Sequence, residues 1–285
     1  MLQDVLKPNA AIEEITRTTP ACSFWGYTWR YLLISLASAI PAFCAYLAIG
    51  LLFVPFAMNG SLSAEDLPRT ALLRITLSIS LLVIIHLYCH KASGRSYASM
   101  GLVRKGAAKQ YLIGLLFGVA VCAIHFGIAI GFDVFEVNQK LGALTIPANV
   151  ISAMIFAPIV EMLATGYYFG GIASSKGVPN ALVGYTCVSV LLGIAGISNV
   201  IVYVITSVLM PLFSCLYFLY SGSIWGAAAF SGALSLVDRV MFLAEDASSS
   251  YLAVAGTVCI LVPLIGIAVL LYLLWRRNKT RVEKN

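Results

Sequence analysis

Charge is what this 285-residue chain has least of: 11% of its residues are Asp, Glu, Lys or Arg, against 60% hydrophobic ones. Its mean hydropathy is +0.93. A soluble domain carries about 25% charged residues, so a water-soluble monomer is excluded. Paired cysteine spacing is missing as well. Cys22, Cys44, Cys89, Cys122, Cys187, Cys215 and Cys259 stand singly with no C-x-x-C, as expected of free thiols packed as small hydrophobes. The first 27 residues mix Asp4, Lys7, Glu13, Glu14 and Arg17 and hold no apolar run of the signal-peptide kind, so no cleavable leader is expected before the first span. With no long linker, low-complexity tract or internal repeat, the chain reads as one domain.

What fills the chain is a series of apolar blocks of about 20 residues, the length that crosses a hydrocarbon core of about 30 Å as a helix. The expected fold is all-α, a polytopic transmembrane helical bundle with spans near 31–58, 70–89, 111–132, 148–173, 181–199, 200–220, 223–237 and 251–275. The seventh, SIWGAAAFSGALSLV, is short and rich in small residues, so the count is eight, or seven if that segment does not cross. A segment 1–30 and a basic tail 276–285 flank the transmembrane domain 31–275. Pro41, Pro55, Pro158, Pro211 and Pro263 fall inside spans, where neighbouring helices re-satisfy the freed carbonyls.

The net charge of +6 sits in short segments between spans, which reports topology and not a nucleic-acid partner. Residues 90–110 carry Lys91, Arg95, Arg104, Lys105 and Lys109 with no acid, and the tail adds Arg276, Arg277, Lys279, Arg281 and Lys284 against Glu283. Basic segments stay on the cytoplasmic side. The six spans between them are an even number, so the chain is expected N-in and C-in with the bilayer as its solvent. Glu65, Asp66, Asp133, Glu136, Asp238, Glu245 and Asp246 then fall outside.

Of the twelve acids, one lies near the middle of a span: Glu161, in ISAMIFAPIVEMLATGYYFGGIA. A charged side chain at mid-bilayer costs about 2.5–3.5 kcal/mol even on lenient scales, so such residues face a bundle interior and mark function. The structural alternative is a protonated glutamate bonded to a neighbouring helix. His86 and His90 fall near the inner end of span two. His125 is a polar partner for Glu161 only if span three tilts, since it stands about 9 Å nearer the outside at helical rise; otherwise it packs. Gly166 and Gly170 form a G-x-x-x-G, and Gly193 and Gly196 follow in span five, positions at which helices approach closely.

Three stretches resemble one family. RSYASMGLVRKGAAKQYLIGLLFGV (95–119), APIVEMLATGYYFGGI (157–172) and SGSIWGAAAFSGALS (221–235) are similar, in the expected order, to the segment before the core, the first motif helix and the last motif helix of the CAAX-protease and bacteriocin-processing (CPBP, or Abi) intramembrane proteases. The resemblance covers about 95–237. It implies a core in which glutamate activates water while histidines hold a metal or the tetrahedral intermediate. Glu161 matches the first motif glutamate. Met162 and Thr165 replace the second glutamate and the arginine, Gly196 replaces the histidine of Phe-x-x-x-His, and Ser231 and Ser235 replace the final histidine and asparagine. No histidine follows residue 125, so no metal site and no zinc cofactor are expected.

The function expected from these residues is that of a pseudoprotease, which binds a membrane protein or a hydrophobic or lipidated peptide in what would be the catalytic cavity of its relatives. The resemblance also implies a bacterial plasma membrane. One alternative is a CAAX-type endopeptidase with non-standard catalysis, Glu161 activating water and Ser231, Ser235 or Thr165 orienting it; another is a bacteriocin self-immunity protein. A proton or cation path through Glu161 and His125 has against it the lack of duplicated halves.

Overall fold

A computed structural model describes residues 5–19, 22–58, 69–131, 135–137, 145–193, 205–243 and 249–282. The regular structure of the described residues is helical apart from two three-residue strands. A short helix, α1 (Ala10–Thr18), precedes the bundle. Asn9 caps it, its side-chain oxygen accepting from the Ile12 N–H at 3.0 Å, and Ile12 and Ile15 turn inward to full burial.

Helix α2 (Phe24–Met58) follows, then α3 (Arg69–Ile84), which widens into a π-helix over Ile85–Ala92. Helix α4 is Ala107–Gly131. Helix α5 (Thr145–Glu161) continues as a π-helix over Met162–Phe169 and then as α6 (Gly170–Lys176). Helix α7 is Val178–Gly193. A π-turn at Ile205–Leu209 leads into α8 (Met210–Ser221), and α9 (Trp225–Val240) and α10 (Ser249–Val282) complete the bundle.

Five of these stretches are long and apolar enough to cross a membrane: Phe24–Ala48, Leu72–Ala92, Ala107–Ile128, Val150–Lys176 and Ile260–Thr280. The first starts at Phe24, ahead of the expected 31, because Trp25 and Trp29 open its apolar stripe. Trp25, Trp29, Leu33, Leu36, Ile40, Phe43 and Leu47 recur at three- and four-residue spacing and are all exposed. In water that stripe would be costly; against hydrocarbon it is the face a helix needs. The expected span 223–237 meets a short helix, α9; the expected spans 181–199 and 200–220 meet α7 and α8, and residues 194–204 of them lie outside the described residues. Sixteen residues, as in α9, rise only about 24 Å.

The connections sort to opposite ends. At one end the Asn9 amide donates to the Phe218 carbonyl at 2.5 Å, and the Ser96 hydroxyl donates to Glu14 at 2.6 Å. There too the Ile224 N–H donates to the Gly101 carbonyl at 3.1 Å, the Trp225 indole to the Val103 carbonyl at 3.1 Å and Asn278 to the Val5 carbonyl at 2.8 Å. The N-terminal helix, the 93–106 turn, the α8–α9 turn and the end of α10 therefore share one end of the bundle. At the other end β1 (Phe135–Val137) pairs antiparallel with β2 (Met241–Leu243). These strands were not expected from the sequence, since a three-residue pairing leaves no alternation to read.

The core is centred on the π-helix and α6: every residue from Met162 to Ala173 is buried. Small residues set the packing around it. A Cβ on Gly166 would overlap the Met100 carbonyl, and one on Gly114 would overlap the Gly226 carbonyl. Such contacts require bare backbone on one side.

Candidate functional site

Glu161 ends α5, and its position is set by two local features. Pro158 lacks an N–H, which frees the Met154 carbonyl four residues earlier; the Tyr111 hydroxyl takes it up at 3.5 Å. Immediately after Glu161 the helix widens, so that the Gly170 N–H donates to the Thr165 carbonyl five residues back. π-Helical turns of this kind are rare and concentrate at functional sites.

The wider turns also leave carbonyls within reach of a side chain. Nη2 of Arg95 donates to the Gly166 carbonyl at 3.0 Å and Nη1 to the Tyr167 carbonyl at 3.3 Å, with weaker bonds to Ser99. The guanidinium lies 5.3 Å from the centre of the Tyr167 ring and is fully buried. Burial pulls its pKa below the ordinary arginine value, while Tyr27, Tyr167, Cys89 and Glu14 oppose that shift. An arginine stays charged under such conditions, so Arg95 is a fixed cation pinned to the helix that carries Glu161.

Three hydroxyls converge on the Glu161 carboxyl. Thr165 donates to Oε2 at 2.7 Å from the next turn of the same helix. Ser214 of α8 donates to Oε1 at 2.8 Å, and Ser231 of α9 donates to the same oxygen at 3.2 Å. Thr165 and Ser214 are fully buried, and Glu161 and Ser231 are half-buried. Tyr31, Tyr185 and Cys215 lie close enough to interact electrostatically with the carboxyl. Tyr31 stacks on Tyr168 at 4.8 Å, and Tyr168 meets Tyr185 edge to face at 5.8 Å. One carboxyl is thus held by three helices beside an aromatic wall.

Of the residues singled out in the sequence, Glu161, Thr165 and Ser231 come together, and Met162 is buried in the core next to them. Gly196 lies outside the described residues, as do the side chains of Ser235 and His125. His86 and His90 sit elsewhere: His86 bonds the Tyr97 hydroxyl at 2.6 Å and His90 the Arg95 carbonyl at 2.9 Å. Sequence reasoning missed two residues. Ser214 interrupts the apolar run MPLFSCLYFLY, and that interruption was the only signal. Arg95 was counted as a topology charge, although it follows Gly94 in a left-handed turn (φ 66°) that directs the chain back toward the bundle.

The donor set does not suit the zinc implied by the family resemblance. Zinc takes imidazole, thiolate and carboxylate ligands, and the described groups here are one carboxyl and three neutral hydroxyls. Among the described residues no three His, Cys, Asp or Glu converge. Chemically, the arrangement is a carboxyl that accepts from three hydroxyls and can accept from a further hydrogen-bond donor. Compared with protein-family models, with curated proteins and with solved structures, the chain matches none.

Proposed function

We propose that this protein is a CPBP-like membrane pseudoprotease that holds a membrane protein or a hydrophobic or lipidated peptide without cutting it. The observation that carries this reading is the mutual packing of the three segments that resemble the family. The 95–119 segment meets 157–172 through Gly166 and Arg95, and meets 221–235 through Gly101, Val103 and Gly114. Their convergence delivers hydroxyls, from Thr165 and Ser231, to the carboxyl at positions where the family carries ionisable groups. Those hydroxyls supply hydrogen bonds but no base of their own. A site of that kind retains binding while losing the groups that break bonds.

In this reading the bundle crosses the bilayer eight times, the short α9 being shielded by its neighbours. The end that gathers the basic 93–106 turn and the C-terminal end of α10 faces the cytoplasm, with N- and C-termini inside a bacterial plasma membrane. A self-immunity role against bacteriocins is one physiological form of the same binding activity. The meeting of Glu161 with Thr165 and Ser231 favours, as a second reading, a Glu161-dependent endopeptidase in which the carboxyl activates water and these hydroxyls orient it.

The test is affinity capture from native membranes of tagged wild type and Glu161→Gln. A membrane protein or peptide recovered intact in near-stoichiometric amount with wild type, and reduced several-fold with Glu161→Gln, is the expected result. Equal recovery with both proteins would contradict a binding role for this site.

A further inference from the structure

We infer that the exposed face of α10, toward its C-terminal end, is a binding site for one anionic phospholipid, with Arg276 and Lys279 on the headgroup and the apolar stripe before them along an acyl chain. Helix α10 is fixed in rotation by what it buries. Leu270 and Leu274 enter the core, Arg277 donates to the Leu219 and Tyr220 carbonyls at 3.0 Å each, and Asn278 donates to the Val5 carbonyl at 2.8 Å. At about 100° per residue these groups occupy one side of the helix. Leu261, Ile265, Val269, Tyr272 and Trp275 fall on the opposite side and are exposed, as are Arg276 and Lys279.

The order of residue types along this face is that of one lipid leaflet: aliphatic, then aromatic, then basic. From Leu261 to Tyr272 the helix rises about 16 Å, close to half of a hydrocarbon core of about 30 Å. Tyrosine and tryptophan settle at headgroup level, so Arg276 and Lys279, about 6 and 10 Å beyond Tyr272 at helical rise, stand among phosphates. Charge selects an anionic lipid. Helix α10 contains no acid, and among the described residues neither Arg276 nor Lys279 forms an ion pair. The Lys279 ammonium lies 5.7 Å from the centre of the Trp275 ring, and the Tyr272 and Trp275 rings are 6.0 Å apart, so two rings and two cations flank one headgroup position. The guanidinium fork matches a phosphate. A zwitterionic headgroup brings its own cation beside those two, whereas a singly anionic one compensates them.

This inference stands apart from the Glu161 site and its partner, and its test uses neither. The purified full chain in detergent is titrated with phosphatidylglycerol or with phosphatidylcholine of the same acyl chains, and bound lipid is counted by native mass spectrometry. Wild type is expected to hold one phosphatidylglycerol about tenfold more tightly than phosphatidylcholine. Arg276→Gln/Lys279→Gln, at two exposed positions, is expected to fold as wild type and to bring the two lipids within about twofold of each other. Lys105→Gln/Lys109→Gln removes the same charge from other exposed positions at this end of the bundle and is expected to leave the preference intact. Equal affinity of wild type for the two lipids would overturn the site. So would a preference that survives in Arg276→Gln/Lys279→Gln, or one that Lys105→Gln/Lys109→Gln lowers as much.

Discussion

Replacing Glu161 by alanine removes the acceptor shared by three hydroxyls, and its cost follows from where those hydroxyls lie. Thr165 and Ser214 are 0% and 1% exposed, so neither regains a water partner. A buried hydroxyl left without an acceptor costs about 1–3 kcal/mol, reduced wherever it turns back to its own helix. Ser231 is partly exposed and meets solvent or the space the side chain leaves. The expected loss for Glu161→Ala is therefore about 2–5 kcal/mol. Glu161→Gln keeps the shape: the amide oxygen accepts from Ser214 and Ser231, and the amide N–H donates to Thr165 once that hydroxyl turns. Its expected loss is about 1–2 kcal/mol. The assay is equilibrium unfolding in mixed micelles with Ser214→Ala as the second arm of a double-mutant cycle, where a coupling of about 1 kcal/mol or more is expected. If Glu161→Ala lies within about 0.5 kcal/mol of wild type, or matches Glu161→Gln, the hydrogen-bonded cluster is not what organises this region.

Gly166→Ala places a Cβ on the Met100 carbonyl and 3.0 Å from the Met100 Cα; the 95–101 turn must then move, lowering stability by about 1–3 kcal/mol, measured by thermal unfolding. Arg95→Lys keeps the charge but not the fork that spans the Gly166 and Tyr167 carbonyls, and its expected cost of about 2–4 kcal/mol is read in the same assay; a neutral result would mean the π-helix needs no such clamp. Asn9→Ala removes both the α1 cap and the bond to the Phe218 carbonyl, with an expected loss of about 1–2 kcal/mol, visible as faster proteolysis at the N-terminal segment. Cysteines introduced at Lys105 and at Glu136 report orientation: a membrane-impermeant thiol reagent applied to intact cells should label the second and spare the first.

Much of the fold was legible because the signal is compositional. Apolar blocks of span length and a single acid among them locate the helices and Glu161, and the same physics that makes the acid expensive in lipid turns it toward the bundle interior. Thr165, like Ser231, was readable only through the family resemblance. Ser214 was not legible, since a lone serine in an apolar run is equally compatible with packing, and only the packing of α8 against the π-helix after Glu161 aims it at the carboxyl. Arg95 was misread for a related reason. Positive charges in short connections obey a topology rule, and nothing local distinguishes one that folds back into the bundle. The π-helical turn after Glu161 was invisible because it alters the phase of a stretch, Met162–Phe169, that is buried on every side. The pairing of β1 with β2 depends on two connections far apart in sequence, which no local pattern announces.

The proposal that this site binds a partner without cutting it has a decisive experiment. Its most direct measurement is quantitative mass spectrometry of peptide termini in membranes expressing wild type, Glu161→Gln or neither. The account predicts the same set of termini in all three membranes, with a partner enriched intact on the wild-type protein. A membrane-protein terminus that appears with wild type and disappears with Glu161→Gln would contradict it and establish a peptidase that works through Glu161.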